Sequence, residues 1–219
     1  MKRILTVLLI FFCTESVAQN AKPPFWQDIQ NFRKQDSIQT PSAHPILFVG
    51  SSSFTRWTDI QDYFPDYTIL NRGFGGSTLA DVLRYEEDVI LKYDPKQIVI
   101  YCGENDIASS DTITAATVFG RFQKLYSEIR AMYPNVPVVY VSLKPSPSRW
   151  HLKEKAMAVN DLIENFLKGQ KNAKFISVWK PMLAADGKPK ADLFVEDNLH
   201  MNAKGYAIWQ KLIQPSLIK

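Results

Sequence analysis

The stretch Gln97-Ile98-Val99-Ile100-Tyr101-Cys102 runs straight into Gly103-Glu104-Asn105-Asp106. After Gln97 the run is apolar without alternation. A strand with one wet face alternates apolar and polar residues, whereas an unbroken run fits a strand buried on both faces of a parallel sheet. Glycine then ends the strand, and a carboxyl–amide–carboxyl cluster crowds the turn that follows.

Similar runs flank this one: Ile46-Leu47-Phe48-Val49, Thr68-Ile69-Leu70, Val136 to Ser142, and Lys174 to Trp179. Between them lie stretches with helical periodicity. Leu79, Val82, Leu83, Val89, Ile90 and Tyr93 form one apolar stripe, opened by Thr78 and Asp81 in the spacing of a capping box. Val118, Phe122, Leu125, Ile129 and Met132 form a second, with Pro134 as a stop. Met157, Val159, Leu162, Ile163 and Phe166 form a third, closed by Gly169. Tyr206, Trp209, Leu212 and Ile213 form the last, and a further helix is expected over about Trp26 to Ser37. Strands alternating with helices predict a parallel sheet covered on both faces, with functional loops at the C-terminal strand ends.

The polar clusters follow the strands in order. Gly50-Ser51-Ser52-Ser53 follows the first and Asn71-Arg72-Gly73-Phe74-Gly75-Gly76 the second. Gly103-Glu104-Asn105-Asp106 follows the third. Asp197-Asn198-Leu199-His200 lies between the fifth strand and the last helix. An acid and a histidine three apart meet in most turn or helical conformations, as a carboxylate must to hold an imidazole in one tautomer. Singly, each cluster reads as a turn, a cap or a structural residue. Together, at one sheet edge, they predict one composite site.

These four blocks resemble the SGNH (GDSL-type) hydrolase superfamily, named for Ser, Gly, Asn and His in four sequence blocks. The resemblance spans the chain from the first strand onward. It implies a three-layer α/β/α sandwich with a five-stranded parallel sheet in the order 2-1-3-4-5. It makes Ser52 the nucleophile, His200 the base and Asp197 its orienting acid. The oxyanion donors it implies are the backbone N–H groups of Ser52 and Gly76 and the side-chain amide of Asn105. The family's usual Asp before the nucleophile is Ser51 here. Ser52 is preferred among the three serines because its offset from Gly50 matches the family, and Gly-Ser-Ser-Ser versions resemble the platelet-activating-factor acetylhydrolase-like branch. No metal or organic cofactor is expected: His44, His151 and His200 are too scattered for a zinc site.

Other residues are candidates for substrate contact: Arg72 and Glu104 beside the site blocks, and Trp150 and His151 in the Pro-stiffened loop Lys144 to His151. Trp150 suits stacking on a sugar or lining an acyl pocket, and equally anchoring a helix. Trp57 and Trp179 read as core.

The N-terminus has the form of an export signal. Lys2 and Arg3 precede an apolar run from Ile4 to Phe12, and Ser16-Val17-Ala18 supplies small residues for cleavage after Ala18. The run is too short for a permanent anchor. Phe12 argues against lipid attachment at Cys13. The expected organisation is a leader, 1–18, and one domain, 19–219. Removing the leader takes two of 26 basic and one of 22 acidic residues, leaving 24 − 21 = +3. That balance does not point to nucleic acid. Cys102 is then the only cysteine, so no internal disulfide forms, and its apolar run predicts a buried thiol.

The predicted protein is therefore an exported serine esterase acting on small acyl esters, acetyl above all, of carbohydrate. The alternatives are a lipid or lysophospholipid acylhydrolase and a noncatalytic ligand-binding relative.

Overall fold

Five short strands lie side by side and parallel: β1 (Ile46–Gly50), β2 (Ile69–Gly73), β3 (Gln97–Tyr101), β4 (Val138–Val141) and β5 (Ala173–Ile176). Their order is β2-β1-β3-β4-β5, as the resemblance implied. The computed structural model describes residues 22–219, so the expected leader and its cleavage site lie outside the described residues.

Side chains of a strand point alternately to opposite faces, and that alternation splits the core in two. Leu47, Val49, Ile98, Ile100, Val138 and Tyr140 face one layer of helices. Ile46, Phe48, Val99, Tyr101, Val139 and Val141 face the other. The first face is covered by α1 (Trp26–Ile38), α4 (Leu79–Arg84), α6 (Ala115–Met132) and α7 (Lys153–Lys168). The second is covered by α2 (Ser52–Thr55), α3 (Ile60–Tyr63) and α8 (Ala203–Ile213), with Trp57 stacked on Tyr206 at 4.7 Å between ring centroids. One more short helix, α5 (Glu104–Ser109), follows β3.

The capping box at α4 forms: Thr78 Oγ1 accepts from the Asp81 N–H and Asp81 Oδ2 accepts from the Thr78 N–H at 2.9 Å. The stripe beyond it is not one continuous α-helix. It breaks after Arg84 and resumes as a π-helical turn, Glu87–Leu91, which still delivers Val89 and Ile90 to the core. Three other expectations need correction. Met132, Met157 and Leu162 are exposed. The buried face of α7 runs through Ala156, Val159, Asn160, Ile163 and Leu167, because residues two apart on a helix, such as Met157 and Val159, point nearly opposite ways. β5 stops at Ile176, short of Trp179. Finally, Asn71, Arg72 and Gly73 belong to β2, an edge strand that tolerates polar residues, and not to the loop after it.

The register explains why one site forms. Gly50 of β1 pairs with Gly73 of β2 on one side and Tyr101 of β3 on the other. Three loops therefore leave the sheet from one row. At Gly50 the backbone sits at φ +146°, and a Cβ there would overlap the Tyr101 carbonyl. Glycine lets β1 turn sharply against β3, and the next residue anchors the turn through its N–H, donated to Tyr101 O at 3.1 Å.

Candidate active site

Ser51 is the N-cap of α2 and Ser52 its first residue. Ser53 is buried, as is Ser51, so of the three serines Ser52 is the one whose hydroxyl meets a histidine. Ser52 Oγ lies 3.0 Å from His200 Nε2, across 148 residues of chain. On its far side the imidazole Nδ1 lies 2.6 Å from Asp197 Oδ2.

The Asp197–His200 turn holds itself in shape. Asp197 Oδ1 accepts from the backbone N–H groups of Leu199 at 2.9 Å and His200 at 2.8 Å, with Asn198 in the left-handed region at φ +55°. The loop before α7 clips onto this turn, Ser148 N–H donating to Asn198 O at 3.1 Å. Partial desolvation works against the charged form of Asp197. The His200 ring and the two backbone N–H groups outweigh it and hold the carboxyl well below the usual carboxylate range. Asp197 thus stays ionised through acid conditions, and the Nδ1–H tautomer that donates to it leaves Nε2 as an acceptor facing Ser52.

Asn105 enters from α5. Its Nδ2 donates to Ser51 Oγ at 2.7 Å and to Ser77 O at 2.9 Å. Its neighbour Asp106 is fully buried, accepting from the Leu79 N–H at 2.9 Å and from Arg121 at 2.7 Å, which ties this loop to the start of α4. Gly76 sits at φ +85°, a conformation that glycine reaches without strain. Among the described residues no acceptor is recorded for the backbone N–H of Ser52 or of Gly76. A cleft of about 250 Å³ joins these groups, lined by Ser52, Arg56, Gly75, Gly76, Asn105, Arg149, Leu199 and His200. A second, wider cleft of about 640 Å³ adjoins it through Arg149 and Leu199, with Ser110, Asp111, Ser148 and His151 on its walls.

The structure thus brings Ser52, Gly76, Asn105, Asp197 and His200 together. It places the expected substrate contacts differently. Arg72 turns into an interior cluster, pairing with Asp36 and donating to the Tyr93 hydroxyl at 2.6 Å. Glu104 is turned inward onto Lys144 at 2.5 Å, the Tyr101 hydroxyl at 2.6 Å and Ser146 at 3.1 Å. Desolvation opposes the Glu104 charge, but the Lys144 and Arg149 cations and these hydrogen bonds keep the carboxyl below its ordinary value. Trp150 stacks on Trp179, ring centroids 6.0 Å apart, and lines neither cleft. Of the four, His151 alone reaches either of the two clefts beside Ser52, the wider one. Arg56 and Arg149 line the Ser52 cleft and were not anticipated. Arg149 lies within the Pro-stiffened loop that holds the candidate contacts Trp150 and His151, but nothing local distinguishes it from any surface arginine. Cys102 is buried, and burial pushes its thiol well above the ordinary value.

Comparison with known proteins agrees with this architecture. The family model of the GDSL-like lipase/acylhydrolase family matches residues 40–208. The platelet-activating factor acetylhydrolase IB subunit alpha1 of Rattus norvegicus is 27% identical over 167 residues, covering 74% of this chain and 69% of the relative. A GDSL-like lipase from Bacteroides thetaiotaomicron superposes with a TM-score of 0.72 at 21% identity, over 86% of this chain and 96% of its own. A carbohydrate esterase family 3 protein from Talaromyces cellulolyticus does so at 0.61 and 17% identity, over 79% and 95%. With a family model spanning the sheet and every site block, the chain belongs to the GDSL-like lipase/acylhydrolase family and is a carboxylic ester hydrolase.

Proposed function

We propose that this protein is an exported serine esterase that removes short acyl groups, acetyl above all, from carbohydrate. The observation that carries the acyl size is the Ser52 cleft. It is small, about 250 Å³, and Leu199 is its one large apolar wall residue. A long acyl chain gains its binding free energy by burying methylenes, about 0.8 kcal/mol each, and this cleft has no apolar channel for them. The wider cleft beside it has mixed walls: Ile107, Leu152 and Leu199 are apolar, while Ser110, Asp111, Ser148, Arg149 and His151 supply groups that hydrogen-bond a polyhydroxyl alcohol. The name of an acetylhydrolase relative agrees with a short acyl group, and that of a structurally similar carbohydrate esterase with a sugar alcohol. The leader read from residues 1–18 supports export.

In this mechanism His200 Nε2 takes the Ser52 proton as Oγ attacks the ester carbonyl. The tetrahedral oxyanion is met by the N–H groups of Ser52 and Gly76 and by the Asn105 amide. Both Asn105 N–H bonds are already engaged, so the Ser51 contact is shared or given up as the oxyanion forms. His200 then returns its proton to the departing alcohol, leaving an acyl-Ser52. Water, deprotonated by His200, attacks that ester, and the intermediate collapses to release the carboxylic acid and restore the Ser52 hydroxyl.

A series of p-nitrophenyl esters tests the acyl class. The expected result is a maximum in kcat/KM at acetyl or propionyl and a steady fall as the chain lengthens. A clear rise toward long chains would instead support the lipid acylhydrolase, and acetate released from acetylated polysaccharides separates sugar from lipid alcohols directly.

The pH profile follows from the direction of the Asp197 shift. A carboxyl held below its ordinary value stays ionised until the pH is far into the acid range. Activity should fall on acidification as the catalytic base is lost, with an acid limb of unit slope in log(kcat/KM) because Asp197 adds no second proton. A slope of two, or a rate unchanged on acidification, counts against this assignment.

A further inference from the structure

Arg149 stands where the two clefts meet, yet its guanidinium is committed to the site itself. Its Nη2 donates to Asn105 Oδ1 at 2.9 Å, and its Nη1 lies 3.8 Å from Glu104 Oε1. Glu104 is held from behind by Lys144, Tyr101 and Ser146. On the opposite side of the Asn105 amide, Nδ2 donates to Ser51 Oγ and to the Ser77 carbonyl. A guanidinium only donates and a backbone carbonyl only accepts, so the amide has one orientation: oxygen toward Arg149, nitrogen toward the nucleophile loop. The positive charge on the carbonyl end also polarises the amide and strengthens its N–H groups as donors.

Resting on the reading of Asn105 as an oxyanion donor, we propose that Arg149 is a positioning residue that acts through Asn105. It locks and polarises the amide, and the buried Lys144–Glu104 pair keeps it aligned. The competing role for an arginine at a cleft mouth is to grip an anionic part of the substrate. The two roles separate on a neutral ester. Positioning appears in kcat and vanishes once Asn105 is gone, whereas gripping appears in KM for charged substrates and persists.

The test is a double-mutant cycle on the full chain with p-nitrophenyl acetate, comparing wild type, Arg149→Met, Asn105→Ala and the double variant. Rates are normalised to the active-serine content titrated with a fluorophosphonate, so a misfolded fraction does not register. Arg149→Met should lower kcat roughly 10- to 100-fold with KM nearly unchanged, less than the roughly 100- to 1,000-fold expected for Asn105→Ala. In the Asn105→Ala background the same change should cost less than about threefold. Equal losses in both backgrounds, or a raised KM with kcat intact, would overturn the proposal. Ser52→Ala run alongside separates the two levels. If it hydrolyses the ester as wild type does, the mechanism itself fails. If it is inactive and the cycle is additive, only the role of Arg149 fails.

Discussion

Ser52→Ala is expected to lower kcat on a short-chain ester by on the order of 10⁵–10⁶, with little change in stability. Removing the nucleophile of a serine triad has an effect of about that size in other hydrolases, because the remaining groups act only through it. Its hydroxyl is half-buried and makes its recorded side-chain contact with His200 at 3.0 Å, so truncation leaves no orphaned interior group. Ser53→Ala is the informative companion. Ser53 is buried beside Ser52, and its side chain is one of the described groups without a hydrogen-bond partner. Its loss should change kcat by less than about tenfold. Mass spectrometry after fluorophosphonate treatment should find the adduct on Ser52 in wild type and none in Ser52→Ala. An active, labelled Ser52→Ala would move the nucleophile elsewhere, and wild-type protein with neither label nor activity on any short ester would favour the noncatalytic binding relative.

The second large effect is on stability. Lys144→Met should destabilise the fold by about 3 kcal/mol at neutral pH, a fall of roughly 6–12 °C in Tm for a chain of this size. Lys144 and Glu104 are both buried, 2.5 Å apart. Removing the cation leaves a carboxylate in the interior with the Tyr101 and Ser146 hydroxyls and the more distant Arg149 as its support. The sign with pH is definite. In wild type the Glu104 carboxyl lies below its unfolded value, so its contribution is present at neutral pH and is lost as the pH falls through the folded value. Without Lys144 the folded value moves up, and the deficit relative to wild type should shrink on acidification as Glu104 takes up a proton. Urea unfolding of both proteins at neutral and mildly acid pH checks this. Lys144→Met/Glu104→Gln should recover part of the loss, and a deficit independent of pH would mean that packing rather than charge is responsible.

Much of the fold was legible because burial and local hydrogen bonding leave periodic marks. The unbroken run at Ile98–Cys102 marked a strand covered on both faces, and Thr78 with Asp81 marked a helix start, since both bonds of a capping box close within four residues. The errors fall where two solutions share one pattern. Met157 and Leu162 are apolar but lie off the buried face of α7, because a list of apolar positions does not say which line along the helix meets the sheet. Asn71 and Arg72 read as loop because they are polar, yet the edge position of β2 accommodates them.

Parts whose partners are near in the chain, or whose backbone shape admits few residues, can be read from the residues alone. These are the layered α/β alternation, Gly50 and Gly76 at their turns, and the Asp197–His200 pair three residues apart. The partners of the long charged side chains are set by the packing of distant elements. Arg72 reaches Asp36, Glu104 reaches Lys144, and Arg149 reaches Asn105, across 36, 40 and 44 residues. A charged side chain carries no periodic mark of whether it meets solvent, substrate or an opposite charge. That depends on which elements the sheet order brings alongside it, and here the order turned two expected substrate contacts inward and set an unremarked arginine against the site.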